Sequence, residues 1–281
     1  MINRDLLVTR IDQAIAEDFV GNLDVTTSPT IPATQRCIGE FRTRKSGVVS
    51  GIDVAIVLLN RVCVGGYEIL SRLSDGNVVG ENVTVLKVSA LTRELLVAER
   101  TALNFLSRLS GISTTTHRWV DAIAGTSAKI RDTRKTTPGW RDLEKYAVLC
   151  GGGVNHRLNL AESALIKDNH VAAVGGISQA VAAIKSQFPN LLIEVEIDHL
   201  NQLEEAIAAG ADEVLLDNMS PAECAQAVTM NKGRVKLEAS GGITLETVRG
   251  YAETGVDFIA VGAITHSAPI LDIGLDISEV N

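Results

Sequence analysis

The sequence predicts an α/β protein: a small N-terminal α/β sandwich followed by an open (βα) barrel. Two observations carry that prediction. Five apolar runs in the second half, at 163–166, 191–195, 213–216, 235–237 and 258–261, end at Lys167, Glu196, Asp217, Glu238 and Gly262. Buried parallel strands read as continuous apolar runs rather than alternating ones. The run ends are 29, 21, 21 and 24 residues apart, room for one strand, one helix and two short loops each. Barrel chemistry sits where the strands end, so the same pattern locates the site.

The 281 residues suit two domains, expected at 1–112 and 113–267, with a tail at 268–281 returning to the first. Ile2, Leu6, Leu7, Ile11, Ala14 and Ile15 have helical spacing over 2–17. A loop follows at 18–27. Segments 37–44, 47–50, 67–70 and 83–90 read as strands, with turns at 74–77 and 80–82 and a helix at 53–61. A long helix starts near Thr92, its apolar face set by Leu95, Leu96, Ala98, Ala102, Leu103, Phe105 and Leu106. It is expected to end near Gly111, and a second helix over 113–124 to lead into the barrel through a short strand at 128–131.

Within the barrel, Ser220-Pro221-Ala222-Glu223 is a capping box with Pro at the first helical position. Thr244 is expected to cap the next helix, and Gly210 and Gly255 to stop helices. Leu271, Ile273, Leu275 and Ile277 alternate with period two, the mark of a strand in the tail.

Composition narrows the function. At 46% hydrophobic residues the chain can bury a sizeable core. Aromatics, at 4%, are too few for a base-stacking platform. A net charge of −8 argues against nucleic acid or an anionic membrane as partner. The four cysteines have neither metal-ligand nor disulfide spacing, which fits free thiols in a reducing cytoplasm. The opening residues carry no apolar signal segment, and no apolar stretch approaches a membrane span.

Against this acidic background, the segment 129–167 holds eight Lys or Arg and four Asp or Glu. Thr133, Arg134 and Lys135 follow the 128–131 strand; three glycines at 151–153 precede His156 and Arg157; Lys167 ends the next run. Any one of these cations is more often a surface salt bridge. A series at successive strand ends suits a carboxylate or phosphate, with Arg supplying a planar fork.

An acidic pair, Glu196 and Asp217, ends two further runs. Alternation points Glu194 the same way as Glu196. Carboxylates at a barrel mouth can bind Mg²⁺ or accept ribose hydroxyls; a structural ion pair is the competing reading. Ser240-Gly241-Gly242 and Val261-Gly262-Ala263, with His266, form glycine loops after the last two strands. That is the recurring phosphate position of barrels. Read bottom-up, the chain is an enzyme for two anionic ligands, one rich in carboxylate and one a phosphorylated sugar.

Taken together, these segments resemble the quinolinate phosphoribosyltransferase family over nearly the whole chain. The resemblance is carried by Glu99-Arg100-Thr101-Ala102-Leu103-Asn104, Asp132-Thr133-Arg134-Lys135-Thr136, 151–157, 166–170, Glu194-Val195-Glu196, Leu216-Asp217-Asn218, Ser240-Gly241-Gly242 and 262–267. It implies the type II phosphoribosyltransferase architecture and a cytoplasmic homodimer with a shared active site, or a higher oligomer. It implies transfer of phosphoribosyl from phosphoribosyl pyrophosphate to quinolinate, with Mg²⁺, release of CO₂ and pyrophosphate, and formation of nicotinate mononucleotide.

By that resemblance Thr133, Arg134, Lys135, His156, Arg157 and Lys167 would hold quinolinate, and a partner subunit would supply Arg100. Glu196 and Asp217 would face the ribose and the metal-bound pyrophosphate, and Lys135 and Lys167 would join them in catalysis. Ser240, Gly241, Gly242, Val261, Gly262, Ala263 and His266 would take the 5′-phosphate.

The family's short Gly-x-Gly-Asp loop is replaced by the longer Phe19-Val20-Gly21-Asn22-Leu23-Asp24. The alternatives are a molybdenum-operon paralogue with another acceptor, which departs at the Lys-Asp-Asn-His segment retained here as 167–170, an aldolase-type barrel using Lys167 as a Schiff-base amine, and a phosphosugar-binding protein without turnover.

Overall fold

The computed structural model describes residues 2–280. The strands, in chain order, are β1 (Arg36–Thr43), β2 (Gly47–Val48), β3 (Glu68–Arg72), β4 (Val78–Val79), β5 (Thr84–Leu91) and β6 (Lys129–Arg131). They continue as β7 (Ala164–Ile166), β8 (Ile193–Ile197), β9 (Glu213–Asp217), β10 (Lys236–Ser240), β11 (Phe258–Ala260) and β12 (Ile273–Val280). The chain divides into two compact units. One takes the chain up to His117, Asp142–Gly152 and the tail from Ala268; the other takes Arg118–Arg141 and Gly153–Ser267.

The first unit is built on an antiparallel sheet ordered β12–β1–β5–β3. Phe41 of β1 is opposite Leu86 of β5 and Leu275 of β12. Its first three helices are α1 (Arg4–Asp18), α2 (Thr27–Thr30) and α3 (Ile52–Val62). Helix α3 buries Ile52, Val54, Ala55, Leu58 and Leu59, the stripe that an amphipathic helix turns inward.

Helix α4 (Thr92–Ala122) is one continuous element, not the expected pair broken at Gly111. The glycine is there for room: a Cβ at 111 would lie 2.1 Å from the Pro269 carbonyl oxygen. It lets the backbone of the tail pass against the helix, and a single glycine costs a helix only about 1 kcal/mol. Helix α5 (Arg141–Cys150), although inside the barrel segment in sequence, clusters with this unit from Asp142 on. Its fully buried Glu144 accepts from Arg108 Nη2 at 2.7 Å, and the Tyr146 hydroxyl donates to Asp75 Oδ2 at 2.8 Å.

The second unit is a six-stranded parallel sheet ordered β6–β11–β10–β9–β8–β7. Ile130, Ile166, Val195, Leu216, Ala239 and Ile259, one from each strand, are buried. The helices that follow the strands are α6 (Asp168–Val174), α7 (Ile177–Gln187), α8 (Leu203–Ala209), α9 (Pro221–Asn231), α10 (Val248–Ala252) and α11 (Ala263–His266). The capping box opens α9, with Ser220 N donating to Glu223 Oε2 at 2.8 Å. Thr244 does not cap α10. It opens a preceding turn, its amide donating to Thr247 Oγ1 at 3.0 Å, and α10 starts at Val248. In the described residues, no helix is long and apolar enough to cross a membrane.

Candidate active site

The C-terminal ends of the parallel strands surround a cleft of about 770 Å³, within the range that holds small-molecule ligands. Lys167, Glu196, Asp217, Glu238 and Gly262, the ends of the five apolar runs, all line it. So do Thr133, Arg134, Lys135, His156, Arg157, Ser240, Gly241, Gly242, Val261, Ala263 and His266. Arg100 is elsewhere, exposed on α4 in the first unit.

The cationic arc is held by main-chain geometry. After β6, the amide of Asp132 donates to the Val154 carbonyl at 3.1 Å, and Val154 forms a parallel bridge with Arg131. That bridge places the 133–135 turn beside the 155–157 segment. Thr133 Oγ1 accepts from the Lys135 amide at 3.0 Å, and Thr265 Oγ1 donates to the Lys135 carbonyl at 2.8 Å. Arg134 Nε and Arg157 Nε are both buried without a hydrogen-bond partner. Burial, then the like charge of Arg134, lowers the pKa of Arg157. Two guanidinium groups that repel each other and keep spare donors suit an anion between them.

The acidic arc is differently arranged. The Lys167 ammonium is ion-paired with Glu196, the ends of neighbouring strands. Asp217 accepts from Asn218 Nδ2 at 2.7 Å and has no cationic partner among the described residues. Asn218 adopts a left-handed φ of 54°, and its amide donates to the Ser240 carbonyl at 2.8 Å. At Gly241, with φ +95°, an added Cβ would lie 2.1 Å from Asn218 Oδ1. The phosphate-type loop therefore packs directly on the turn that carries Asp217.

The residues fit a hard divalent cation. Among the described residues, no cation pairs with the Asp217 carboxylate, and the cation paired with Glu196 is a lysine nearly half exposed at 45%.

A buried polar cluster, not anticipated as part of the site, is built from strand residues. Arg131 Nη1 donates to Glu213 Oε2 at 2.7 Å and to Glu238 Oε2 at 2.6 Å, and its guanidinium carbon is 3.6 Å from the centre of the Phe258 ring. Burial opposes the Arg131 charge, but the Glu213 and Glu238 carboxylates outweigh it and raise its pKa. Glu194 and Glu238 are each 1% exposed and keep one carboxylate oxygen without a partner. Burial, reinforced by the Glu194 charge, raises the pKa of Glu238. His156 Nε2 is 2.7 Å from Glu194 Oε2, and His156 Nδ1 accepts from the Arg157 amide at 2.8 Å.

His156 was a named site candidate, and Glu194 had a sequence signal in its alternation with Glu196. Glu238 ended an apolar run like the other site residues, and nothing in the sequence distinguishes its deeper position.

An open parallel barrel with cations on one arc and acids and glycine loops on the other defines a type II phosphoribosyltransferase fold. The models of quinolinate phosphoribosyl transferase match both parts: the N-terminal domain over residues 24–110 and the C-terminal domain over 112–276. The chain belongs to the quinolinate phosphoribosyl transferase family.

It is 50% identical over 271 residues to the nicotinate-nucleotide pyrophosphorylase [carboxylating] of Mycobacterium leprae, covering 95% of both chains. It is 40% identical to the probable nicotinate-nucleotide pyrophosphorylase [carboxylating] of Bacillus subtilis, over 91% of this chain and 88% of that one. Among solved structures, the nicotinate-nucleotide pyrophosphorylase from Francisella tularensis superposes with a TM-score of 0.95 at 38% identity, covering 99% of this chain and 98% of that one.

Proposed function

We propose that this protein transfers phosphoribosyl from phosphoribosyl pyrophosphate to quinolinate, releasing pyrophosphate and CO₂ and forming nicotinate mononucleotide for NAD biosynthesis. The observation that carries the reading is the pairing of two arcs around one cleft. Arg134 and Arg157, with spare buried donors, lie on one side, and Asp217 with the glycine loops lies on the other. The names of the close relatives support the same reaction.

In this reading Thr133, Arg134, Lys135, Arg157 and Lys167 receive the two quinolinate carboxylates. Ser240, Gly241, Gly242, Val261, Gly262, Ala263 and His266 receive the 5′-phosphate. The pyridine nitrogen is a poor nucleophile, so much of the rate comes from holding it in line with the ribose carbon. As the bond to pyrophosphate breaks, positive charge grows on the ribose ring, and Glu196 and Asp217 stabilise it. Glu196 and Asp217 would hold Mg²⁺, directly or through water and substrate, and the bound ion would supply positive charge to the departing phosphates.

Once attached, the ring nitrogen is cationic. The C–CO₂ bond next to it breaks, its electron pair stays on the ring carbon, and a proton replaces the CO₂. Binding both carboxylates too tightly would oppose that loss, because only differential binding speeds a step. Arg100, exposed on α4, would reach the cleft of a second copy in a homodimer or larger assembly. The free cysteines, three of them buried, fit a cytoplasmic setting.

The test supplies both substrates with Mg²⁺ to the purified protein and follows nicotinate mononucleotide and CO₂ together. Equal amounts of both, each requiring both substrates, are expected. Nucleotide formed without CO₂, or no product at all, would sink the reading.

A further inference from the structure

His156 has protein partners at both ring nitrogens. Nδ1 accepts from the Arg157 amide at 2.8 Å, and a nitrogen that accepts from an N–H carries no proton itself. The ring proton therefore belongs on Nε2, which is 2.7 Å from the buried Glu194 Oε2 and donates to it. In this arrangement both ring nitrogens are taken by protein partners, and no ring N–H is left over for a ligand. The same turn is gripped once more: Asp132, fully buried, accepts the His156 amide through Oδ1 at 2.8 Å. The next side chain is Arg157, whose Nη1 donates to the Ser163 carbonyl at 2.9 Å while Nε stays without a partner.

Resting on the function proposed above, we infer that His156 is a positioning residue: Glu194 locks it as the neutral Nε2–H tautomer, and its Nδ1 sets the main chain that aims Arg157 at the diacid. It does not supply one of the positive charges that bind quinolinate.

Other groups face His156. Glu194 comes from β8 and Glu238 from β10, with Arg131 on β6 bonded to Glu238; Asp132 and Arg157 adjoin the turn. The two carboxylates favour a nearby proton. Burial and the Glu194 charge raise the pKa of Glu238, while the Arg131 charge lowers it. Glu194 is thus a second-rank partner in chemistry but a first condition for geometry, since a buried histidine takes its tautomer from its hydrogen bonds.

Two measurements test the inference. In the full chain with ¹⁵N-labelled histidine, the His156 signals, assigned by their loss in His156→Asn, should show a neutral ring protonated at Nε2 between about pH 6 and pH 8. The pattern should persist when quinolinate saturates the protein. A doubly protonated ring, free or bound, would overturn the inference.

In steady-state kinetics, Glu194→Gln keeps an oxygen that can accept the Nε2 proton, whereas Glu194→Ala removes it. The quinolinate KM should rise about tenfold or more in the Ala variant, the loss of one buried hydrogen bond, and stay within about threefold of wild type in the Gln variant. The KM for phosphoribosyl pyrophosphate should hold in both. Equal damage from Gln and Ala would mean that the Glu194 charge matters, through an imidazolium, and would overturn the inference. If the Ala variant does not fold, the ring pattern of the wild-type protein still decides. A wild-type protein that makes no nicotinate mononucleotide would instead remove the proposed function, leaving the tautomer measurement standing separately.

Discussion

Lys167 and Glu196 are ion-paired across the ends of two adjacent strands, so a cation of one arc is neutralised by an acid of the other until ligands arrive. Because Lys167 is 45% exposed, the pair contributes only about 0–1 kcal/mol and opens easily. In the proposed reaction, ligand binding would separate the two, Lys167 turning to a quinolinate carboxylate and Glu196 to the sugar.

Lys167→Ala and Arg134→Ala should each raise the quinolinate KM about 10²-fold, the cost of truncating one side of a desolvated charge pair. The KM for phosphoribosyl pyrophosphate should move far less. Steady-state kinetics with each substrate varied in turn checks this. Equal losses for both ligands would argue against the assignment of the cationic arc.

Gly241→Ala should damage the phosphate side instead. The new Cβ meets Asn218 Oδ1 at 2.1 Å and the backbone has φ +95°. Strain of this kind costs about 1–3 kcal/mol, and relief requires moving the turn that carries Asp217. The expected outcome is a lower urea midpoint and a raised KM for phosphoribosyl pyrophosphate, with the quinolinate KM nearly unchanged.

Glu40 gives the first unit a pH-dependent stability. Lys87 at 3.0 Å, then Arg42 and the Thr84 hydroxyl at 2.8 Å, lower its pKa from 4.5 to about 2. A depressed carboxyl stabilises the fold fully above its unfolded pKa, and that stabilisation is lost as pH falls toward and through 2. Its two cations are about one-third exposed, so a screened value of about 1–2 kcal/mol is reasonable. Glu40→Gln should cost that much near neutral pH and markedly less at about pH 3 in urea unfolding. The same loss at both pH values would count against the network.

Arg100→Ala should inactivate the homogeneous protein. Mixed with a subunit disabled at Lys167, it should regain part of the activity in verified heterodimers, because one of the two shared sites would then be intact. No rescue would remove Arg100 from the partner's site.

The barrel was legible because its strands are short, carry buried apolar residues and are closed by conspicuous residues. Lys167, Glu196 and Asp217 stand out after apolar runs, and all three line the cleft. The helix break at Gly111 was misread because a glycine that admits a neighbouring backbone resembles one that ends a helix. The partners of Arg131 were illegible for another reason. Glu213 and Glu238 are 82 and 107 residues away along the chain, and the sheet order β6–β11–β10–β9 that gathers them is not written in local periodicity. His156 showed its residue type but not its tautomer, which depends on Glu194 and on the Arg157 amide.

Strand β1 is flanked by β5 on one side and by β12 on the other. During synthesis the first of those neighbours emerges about fifty residues after β1, whereas the second leaves the ribosome more than two hundred residues after it. Throughout that interval one border of β1 has open amides and carbonyls that could recruit a foreign strand. A chain cut short before β12 would keep that vulnerability permanently, so such truncations should surface as clumping rather than as working enzyme.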